Sequence, residues 1–218
     1  MKKTILTLIA ALSMLTAFAQ SDNSNNEDRK SRFGIKGGLN VSTLAVDADK
    51  IDEDKYRIGG NFGIFGYFGV ADIFGVQVEA LYNGKGTRIK KYSDSYGVTT
   101  SQVNFNLHYI EVPVIAKLNL GPIGIGAGLY GSYLLNADVS TISYRDDIPE
   151  VQRYKLNEDD FNTSDFGGLV DVSLNAQSIT AGVRYSQGFR EVAKTTTGSI
   201  FLGDSKNALL SLYLGFSF

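Results

Sequence analysis

The sequence contains no cysteine and no tryptophan, only three prolines and a single histidine. The absence of cysteine excludes disulfides, thiolate metal sites and a lipid-modified cysteine anchor. A basic excess is also missing: 21 Lys and Arg residues stand against 23 Asp and Glu residues, which provides no cationic footprint for nucleic acid. After residue 19, no apolar run approaches the roughly 20 residues of a membrane helix. Any membrane role of the mature chain must therefore be carried by strands.

The first 19 residues are typical of a secretory signal peptide. Lys2 and Lys3 precede the apolar run 5–15, and Ala17-Phe18-Ala19 forms a small-x-small cleavage site. A membrane-spanning helix is the competing reading, but the run is too short and the polar SDNSNNEDRK follows it. Cleavage would leave 19 basic against 23 acidic residues. We predict a signal peptide over 1–19, a polar tail over 20–32 and one domain over 33–218.

Eight segments of that domain alternate apolar and polar residues with period two, which is the pattern of strands with two different faces. They are 33–42, 60–70, 74–83, 104–120, 123–136, 165–174, 177–187 and 209–218. The sequence therefore predicts an all-β fold.

The connectors between these segments alternate in length. The connectors 71–73, 121–122 and 175–176 are turn-sized, whereas 43–59, 84–103, 137–164 and 188–208 are long, polar and charged. Antiparallel neighbours place alternate connectors at opposite ends of a sheet. Outer-membrane barrels combine an even strand number with short periplasmic turns and long external loops. We predict an eight-stranded antiparallel up-and-down transmembrane β-barrel with both termini periplasmic and the long loops extracellular.

The two faces of the strands differ in bulk and charge. One face carries large apolar residues without a charge, and the other carries glycines and all the ionised residues. The interior of an eight-stranded barrel is narrow and is filled by side chains, so the bulky face must be outside, against lipid. The opposite assignment, with Phe62, Val112 and Leu212 packed centrally, would describe a soluble carrier of the calycin type. The predicted lumen charges are Lys36, Glu79, Glu111, Lys117, Asp171 and Arg184.

These six residues carry three charges of each sign. Buried charges must be paired, because an unpaired one costs several kcal/mol. We predict a salt-bridged plug that seals the barrel, with Glu111 and Arg184 in the middle or outer half of the same interior. A polar path or proton relay is the alternative.

The chain ends on the alternating strand LLSLYLGFSF, without a polar tail. In hydrocarbon every backbone donor needs a partner, so this last strand must pair with the first. Tyr213 belongs to the polar face, and Phe216 and Phe218 belong to the apolar face at the predicted periplasmic headgroup level. We interpret these three residues as a closing-strand signal to the barrel-assembly machinery.

Two residues in the fourth segment need separate interpretation. His108 shares parity with Ile110, which directs it to lipid near the external boundary, and no G-x-S-x-G nucleophile signature accompanies it. We predict no catalytic residue. Pro113 has no N–H for a strand ladder and predicts a local bulge beside Glu111.

Other motifs predict no cofactor and no metal. The glycines of GPIGIGAGLYG (121–131) continue into a strand rather than the helix that a phosphate-binding loop requires. The acidic segments 47–54 and 157–165 lack the glycine and glutamate of an EF-hand loop. We expect the acidic loops and the basic RIKKY (88–92) to contact lipopolysaccharide.

Five segments, GIKGGLNVS, YIEVPVIAKLNLG, GLYGSYLLNA, DFGGLVDVSL and VRYSQG, resemble the PorT-type or "porin family" outer-membrane β-barrel proteins of Gram-negative bacteria. The most specific element is the aromatic-x-Glu-x-Pro strand at Tyr109, Glu111 and Pro113. A departure is DVSLN, where the family commonly has a glycine-rich strand ending in Glu. The resemblance implies an integral outer-membrane barrel, and some family members serve secretion or gliding machinery.

The sequence thus favours a barrel with a structural or interaction role. Its expected partners are outer-membrane lipid, lipopolysaccharide and secretion or envelope proteins. We expect no binding to nucleic acid. A small solute channel is the first alternative, and a lipid-modifying barrel enzyme is the second.

Overall fold

A computed structural model describes residues 31–45, 56–91, 101–145, 148–155, 162–191 and 206–218. These residues form nine strands and no helix, so none of them supplies a helical membrane span. The strands are β1 (Arg32–Ala45), β2 (Arg57–Gly69), β3 (Phe74–Lys91), β4 (Ser101–Leu120), β5 (Ile123–Arg145), β6 (Ile148–Lys155), β7 (Ser164–Ala176), β8 (Ile179–Glu191) and β9 (Lys206–Ser217).

Eight of these strands close into an antiparallel barrel. Each pairs with its neighbour in the order β1-β2-β3-β4-β5-β7-β8-β9, and β9 returns to pair with β1. The predicted all-β, eight-stranded barrel is confirmed. Among the described residues, the ninth strand, β6, pairs only with the C-terminal part of β5, from Asp138↔Lys155 to Arg145↔Ile148. The prediction of a loop throughout 137–164 is therefore wrong. The sequence IPEVQRYK lacks period-two alternation, so only its ladder to β5 reveals it as a strand.

The barrel has a turn end and a loop end. The short connections between β2 and β3, β4 and β5, and β7 and β8 lie at the turn end, together with the first residues of β1 and the last of β9. Gly121 has φ +64°, a left-handed conformation that favours glycine. The β7–β8 turn is Gln177-Ser178, two residues later than predicted, because Asn175 and Ala176 still pair with β8.

Outward-facing side chains are apolar and inward-facing ones are polar. Phe62 and Leu212 are 63% and 57% exposed, whereas Glu79 and Arg184 are 2% and 3% exposed. This is the arrangement that the sequence pattern predicts. It contradicts the soluble-carrier alternative, which required the apolar face to be central. In an aqueous protein such a belt would be unstable, so the outer face needs a lipid environment.

Four strands continue past the loop end of the wall as a smaller sheet. The β2–β3 ladder stops at Asn61↔Asn83, but β3 stays paired with β4 as far as Lys91↔Ser101. The projecting sheet consists of 86–91 of β3, 101–106 of β4, 138–145 of β5 and all of β6. The prediction that a loop begins at residue 84 is wrong, because the turn-like Asn-Gly-Lys-Gly of 83–86 is accommodated within a strand.

Two irregularities mark the base of the projecting sheet. Gly86 has φ +148°, a value that side-chain-bearing residues rarely adopt. On β5, the register shifts between His108↔Asn136 and Tyr109↔Leu134, so Leu135 is an extra residue. Such a bulge bends a strand and changes which residues face outward.

Pro113 does not form the predicted bulge. It is buried, it pairs with Tyr130 of β5, and the β3–β4 register is the same on both sides of it. The ladder to β3 is interrupted opposite Glu79 and Ala80, as expected for a residue that cannot donate. The prediction of a bulge beside Glu111 is therefore wrong. Proline opens a gap in the ladder without shifting the register.

Candidate functional site in the barrel interior

The strands direct all six predicted lumen charges into the barrel. Each occupies an inward-facing position, and each is at most 6% exposed. The contributing residues are Lys36 of β1, Glu79 of β3, Glu111 and Lys117 of β4, Asp171 of β7 and Arg184 of β8.

Arg184 lies at the centre of this group. Its Nη1 and Nη2 donate to the two carboxylate oxygens of Glu79 at 2.7 and 2.8 Å. Its Nε donates to Oδ2 of Asp171, the residue directly opposite on β7, at 3.1 Å. One guanidinium thus holds two carboxylates that come from strands on different sides of the barrel. Fork-shaped pairing of this kind fixes geometry as well as contributing energy.

Two lysines extend the chain of charges. Lys36 Nζ lies 3.1 Å from Glu79 Oε1 and 3.5 Å from the centre of the Tyr213 ring. Lys117 Nζ lies 3.1 Å from Asp171 Oδ1. The hydroxyl of Tyr213 donates to both oxygens of Asp171 at 2.9 and 3.1 Å.

A five-charge chain therefore crosses the lumen and links five strands. Its members, in order of contact, are Lys36, Glu79, Arg184, Asp171 and Lys117.

Glu111 does not belong to that chain. Its Oε2 lies 2.6 Å from Nζ of Lys85, whose ammonium sits 4.6 Å from the ring centre of Tyr130. The hydroxyl of Tyr130 donates to Oδ2 of Asp165 at 3.3 Å, and Asn207 donates to the same oxygen at 2.9 Å. We name Lys85, Glu111 and Asp165 the loop-side cluster.

Sequence reasoning missed Lys85 and Asp165, although a parity signal marks both. Lys85 continues the inward row of Gln77 and Glu79, but it follows a dipeptide that is typical of turns. Asp165 shares parity with Asp171, but it ends a run of acidic residues that reads as a loop. With both included, the buried charges among the described residues number four of each sign. The five-charge chain has a net charge of +1 and the loop-side cluster a net charge of −1.

A cavity of about 10 Å³ separates the two groups of charges. Glu111, Arg184 and Ser186 are among its lining residues. This volume holds about one water molecule. Glu111 and Arg184 thus lie in the same interior and face the same small cavity.

The last strand, β9, is hydrogen-bonded to the first strand, β1. The N–H of Phe218 donates to the carbonyl of Phe33 at 2.9 Å, and Phe216 pairs with Ile35. Tyr213 points inward, whereas Phe216 and Phe218 point outward, and Phe218 is 81% exposed.

His108 lies on the outer face near the loop end, as its parity predicts. Its ring stacks on Tyr82 at 5.7 Å and its Nδ1 is 2.8 Å from the Tyr82 hydroxyl. Within the described ranges, no serine hydroxyl is hydrogen-bonded to its ring nitrogens. Within the same ranges, no three acidic or histidine side chains converge as metal ligands. The acidic segment 47–54 and residues 157–161 of the second one lie outside the described residues.

The sequence profile of the family described as "Outer membrane protein beta-barrel domain" matches residues 18–194. The chain belongs to this family. In outer-membrane barrels the outward-facing residues are apolar and meet lipid, and the residues that line the lumen are polar.

Comparison with solved structures finds similarity to three bacterial proteins, among others. Ail, the attachment invasion locus protein of Yersinia pestis, is 13% identical with a TM-score of 0.46, covering 87% of this chain and 99% of Ail. Neisserial surface protein A is 15% identical with a TM-score of 0.44, at the same coverages. OprG of Pseudomonas aeruginosa is 11% identical with a TM-score of 0.37, covering 87% of this chain and 97% of OprG. Among curated protein sequences, none matches the chain.

Proposed function

We propose that this outer-membrane barrel is a sealed anchor of the PorT type that displays the projecting sheet to an envelope or secretion protein. The loop end faces the exterior, and both termini face the periplasm. The observation that supports the proposal is the contrast between the barrel lumen and the projecting sheet. The lumen is filled by paired charges, whereas the projecting sheet has strand edges that no described neighbour covers.

The filled interior argues against the alternative of a solute channel. Salt bridges cross the lumen from β1 to β8, and the cavity beside them accommodates about one water molecule. Purified barrel in planar bilayers is expected to give no conductance above leak. Stepwise conductance in the purified wild-type protein would instead support the channel.

The outer edge of β6 is a suitable docking surface. Within the described residues, β6 pairs with β5 alone, which leaves one side of its backbone available. An extended segment of a partner can add to such an edge through main-chain hydrogen bonds. Pro149 stands near the start of β6, and a proline limits pairing at its own position. We therefore place the docking surface on 151–155.

Crosslinking tests this surface cleanly, because the chain has no native cysteine. Gln152→Cys, labelled with a photocrosslinker in intact cells, is expected to give a protein adduct. Asp72→Cys, in the exposed β2–β3 turn at the other end, is the matched control and is expected to give a different pattern. Adding Val151→Pro should abolish the Gln152→Cys adduct while heat-modifiable gel migration of the barrel remains. An adduct that survives Val151→Pro would contradict docking by strand addition.

The outer surface of the barrel supports proposals for three further partners: the barrel-assembly machinery, lipid and lipopolysaccharide. Phe216 of β9 and Phe218, which follows the strand, provide the apolar face by which we propose that the barrel-assembly machinery receives the last strand. We assign lipid to the apolar belt and lipopolysaccharide to the charged loop end. We assign no catalytic role. A lipid-modifying activity that disappears in His108→Ala would overturn that assignment.

A further inference from the structure

A row of aromatic side chains crosses the outer face of the wall near the loop end. Phe62 of β2 pairs with Tyr82 of β3, Tyr82 pairs with Ile110 of β4, and Ile110 pairs with Tyr133 of β5. The ring centres of Phe62 and Tyr82 are 5.2 Å apart, and Tyr133 is 47% exposed. Outer-membrane barrels have girdles of aromatic residues at both edges of the lipid layer. This row therefore marks the loop-end edge of the apolar belt on β2 to β5.

Polar side chains take the outward positions directly beyond this row. His108 of β4 pairs with Asn136 of β5, and two residues further along β4 Asn106 pairs with Asp138. Asp138 accepts hydrogen bonds from the side-chain amides of Asn106 at 2.7 Å and Asn136 at 3.2 Å. Nδ1 of His108 is 2.8 Å from the Tyr82 hydroxyl. We name His108, Asn106, Asn136 and Asp138 the wall patch.

The wall patch is held in place from the β2 side. On β3 the residues that pair with His108 and Asn106 are Gly84 and Gly86, so no side chain of β3 stands beside them at these positions. Arg57 of β2 reaches across this space and donates from Nε to Oδ1 of Asn106 at 2.8 Å. The patch is thus ordered by its own contacts, and an ordered site loses less conformational freedom when it binds a ligand.

The wall patch is accessible from the outer face, and its chemistry suits a neutral headgroup rich in hydroxyls. The side chains of His108 and Asp138 are 25% and 26% exposed. A charge on the outer face is tolerated near the edge of the lipid layer but is costly at its centre, so the patch lies at the headgroup level. A hydroxyl both donates and accepts hydrogen bonds, and the patch offers amide donors and a carboxylate acceptor. The same carboxylate repels a phosphate.

We propose that the wall patch binds the sugar headgroup of a glycolipid whose acyl chains lie against the apolar belt. Tyr82 and Tyr133 lie between the patch and the belt, where the sugar of such a lipid joins its chains. Tyrosine is favoured at this level, because its ring is apolar and its hydroxyl is polar. The placement of this glycolipid in the outer leaflet rests on the proposed function, in which the loop end faces the exterior.

Titration with two lipids in phosphatidylcholine nanodiscs tests the wall patch. Monoglucosyl diacylglycerol is the sugar probe, and phosphatidic acid is the phosphate probe. The side-chain amide NMR signals of Asn106 and Asn136 in the wild-type protein should shift saturably with the sugar probe and not with the phosphate probe. Asp138→Ala removes a charged acceptor and should weaken the apparent affinity for the sugar probe about tenfold. Both leaflets of a nanodisc carry the probe, so the result does not depend on the orientation of the barrel.

Tyr185→Phe is the matched control, because it removes an outward hydroxyl of β8 and leaves the wall patch intact. Its affinity for the sugar probe should equal that of the wild type. The proposal is overturned if the sugar probe shifts neither amide signal, or if Asp138→Ala binds it as tightly as the wild type. Binding of phosphatidic acid that becomes tighter in Asp138→Asn would also overturn it, because the patch would then be a phosphate site. Heat-modifiable migration of every variant verifies that its barrel is folded.

Discussion

The five-charge chain predicts that substitutions of Glu79 and of Arg184 lower the stability of the barrel by different amounts. Glu79→Gln removes one of two carboxylates that face three cations, so Lys36, Arg184 and Lys117 would share Asp171 alone. The net charge of the chain would rise from +1 to +2. Arg184→Met removes the central cation, and each carboxylate keeps its own lysine, so the net charge falls to zero. The glutamate substitution should therefore cost more stability than the arginine substitution.

The magnitudes follow from the buried contacts. Removing one partner of a buried ion pair and leaving the other uncompensated costs about 3–5 kcal/mol, and this is the expected loss for Glu79→Gln. Arg184→Met forfeits hydrogen bonds to charged groups but leaves two neutral pairs. We expect its loss to be about 2 kcal/mol, near the lower bound for hydrogen bonds of this type.

Urea unfolding in lipid vesicles, followed by heat-modifiable gel migration, measures both free energies without relying on tryptophan fluorescence. Val183→Leu is the matched control: it neighbours Arg184 in sequence but faces lipid, and its free energy of unfolding should be close to that of the wild type. If Arg184→Met costs as much as Glu79→Gln, the charge arithmetic is refuted. If neither substitution lowers the free energy of unfolding, the salt-bridged plug itself is refuted.

Two further predictions use the same unfolding assay. Leu212→Arg places a charge on the lipid face and should cost about 2–4 kcal/mol, whereas Leu212→Phe should be nearly neutral; equal stabilities would contradict the outward orientation of this row. Gly38→Ala should cost about 1–3 kcal/mol, because a Cβ there would overlap the Leu212 carbonyl oxygen. Gly131→Ala, which meets nothing within 4 Å, should be tolerated, and a similar loss in both variants would show that crowding is not the cause.

The period-two pattern was sufficient to predict the barrel and its faces. A strand between lipid and a polar lumen must alternate, so Leu212 and Arg184 could be assigned to opposite sides without coordinates. The pattern no longer predicts strands in the part of the chain that does not lie between lipid and lumen. Beyond the wall, the sequence of β6 does not alternate, and β3 passes through Asn83-Gly84 without the turn that this dipeptide usually forms.

The partners inside the lumen could not be predicted from spacing. Arg184 and Glu79 are separated by 105 residues, and they meet because strand tilt and closure bring β8 and β3 across the interior. Parity establishes that a side chain points inward, but not its height along the axis. For that reason Glu111 was grouped with the other charges, although it pairs with Lys85 at a different level. The bulge at Leu135 also reverses parity, which brings Asp138 outward beside His108.

The ladder between β1 and β9 has a consequence for how the protein is made. Its partners, from Gly34↔Ser217 to Ala45↔Lys206, come from the two extremes of the domain. A sheet that lacks either β1 or β9 has two unpaired edge strands. In hydrocarbon, the peptide groups along those edges have no hydrogen-bond partner. The wall can therefore become continuous only after β9 has been synthesised. Closure of the sheet is then a late step, because it brings the first and the last strand of the barrel together.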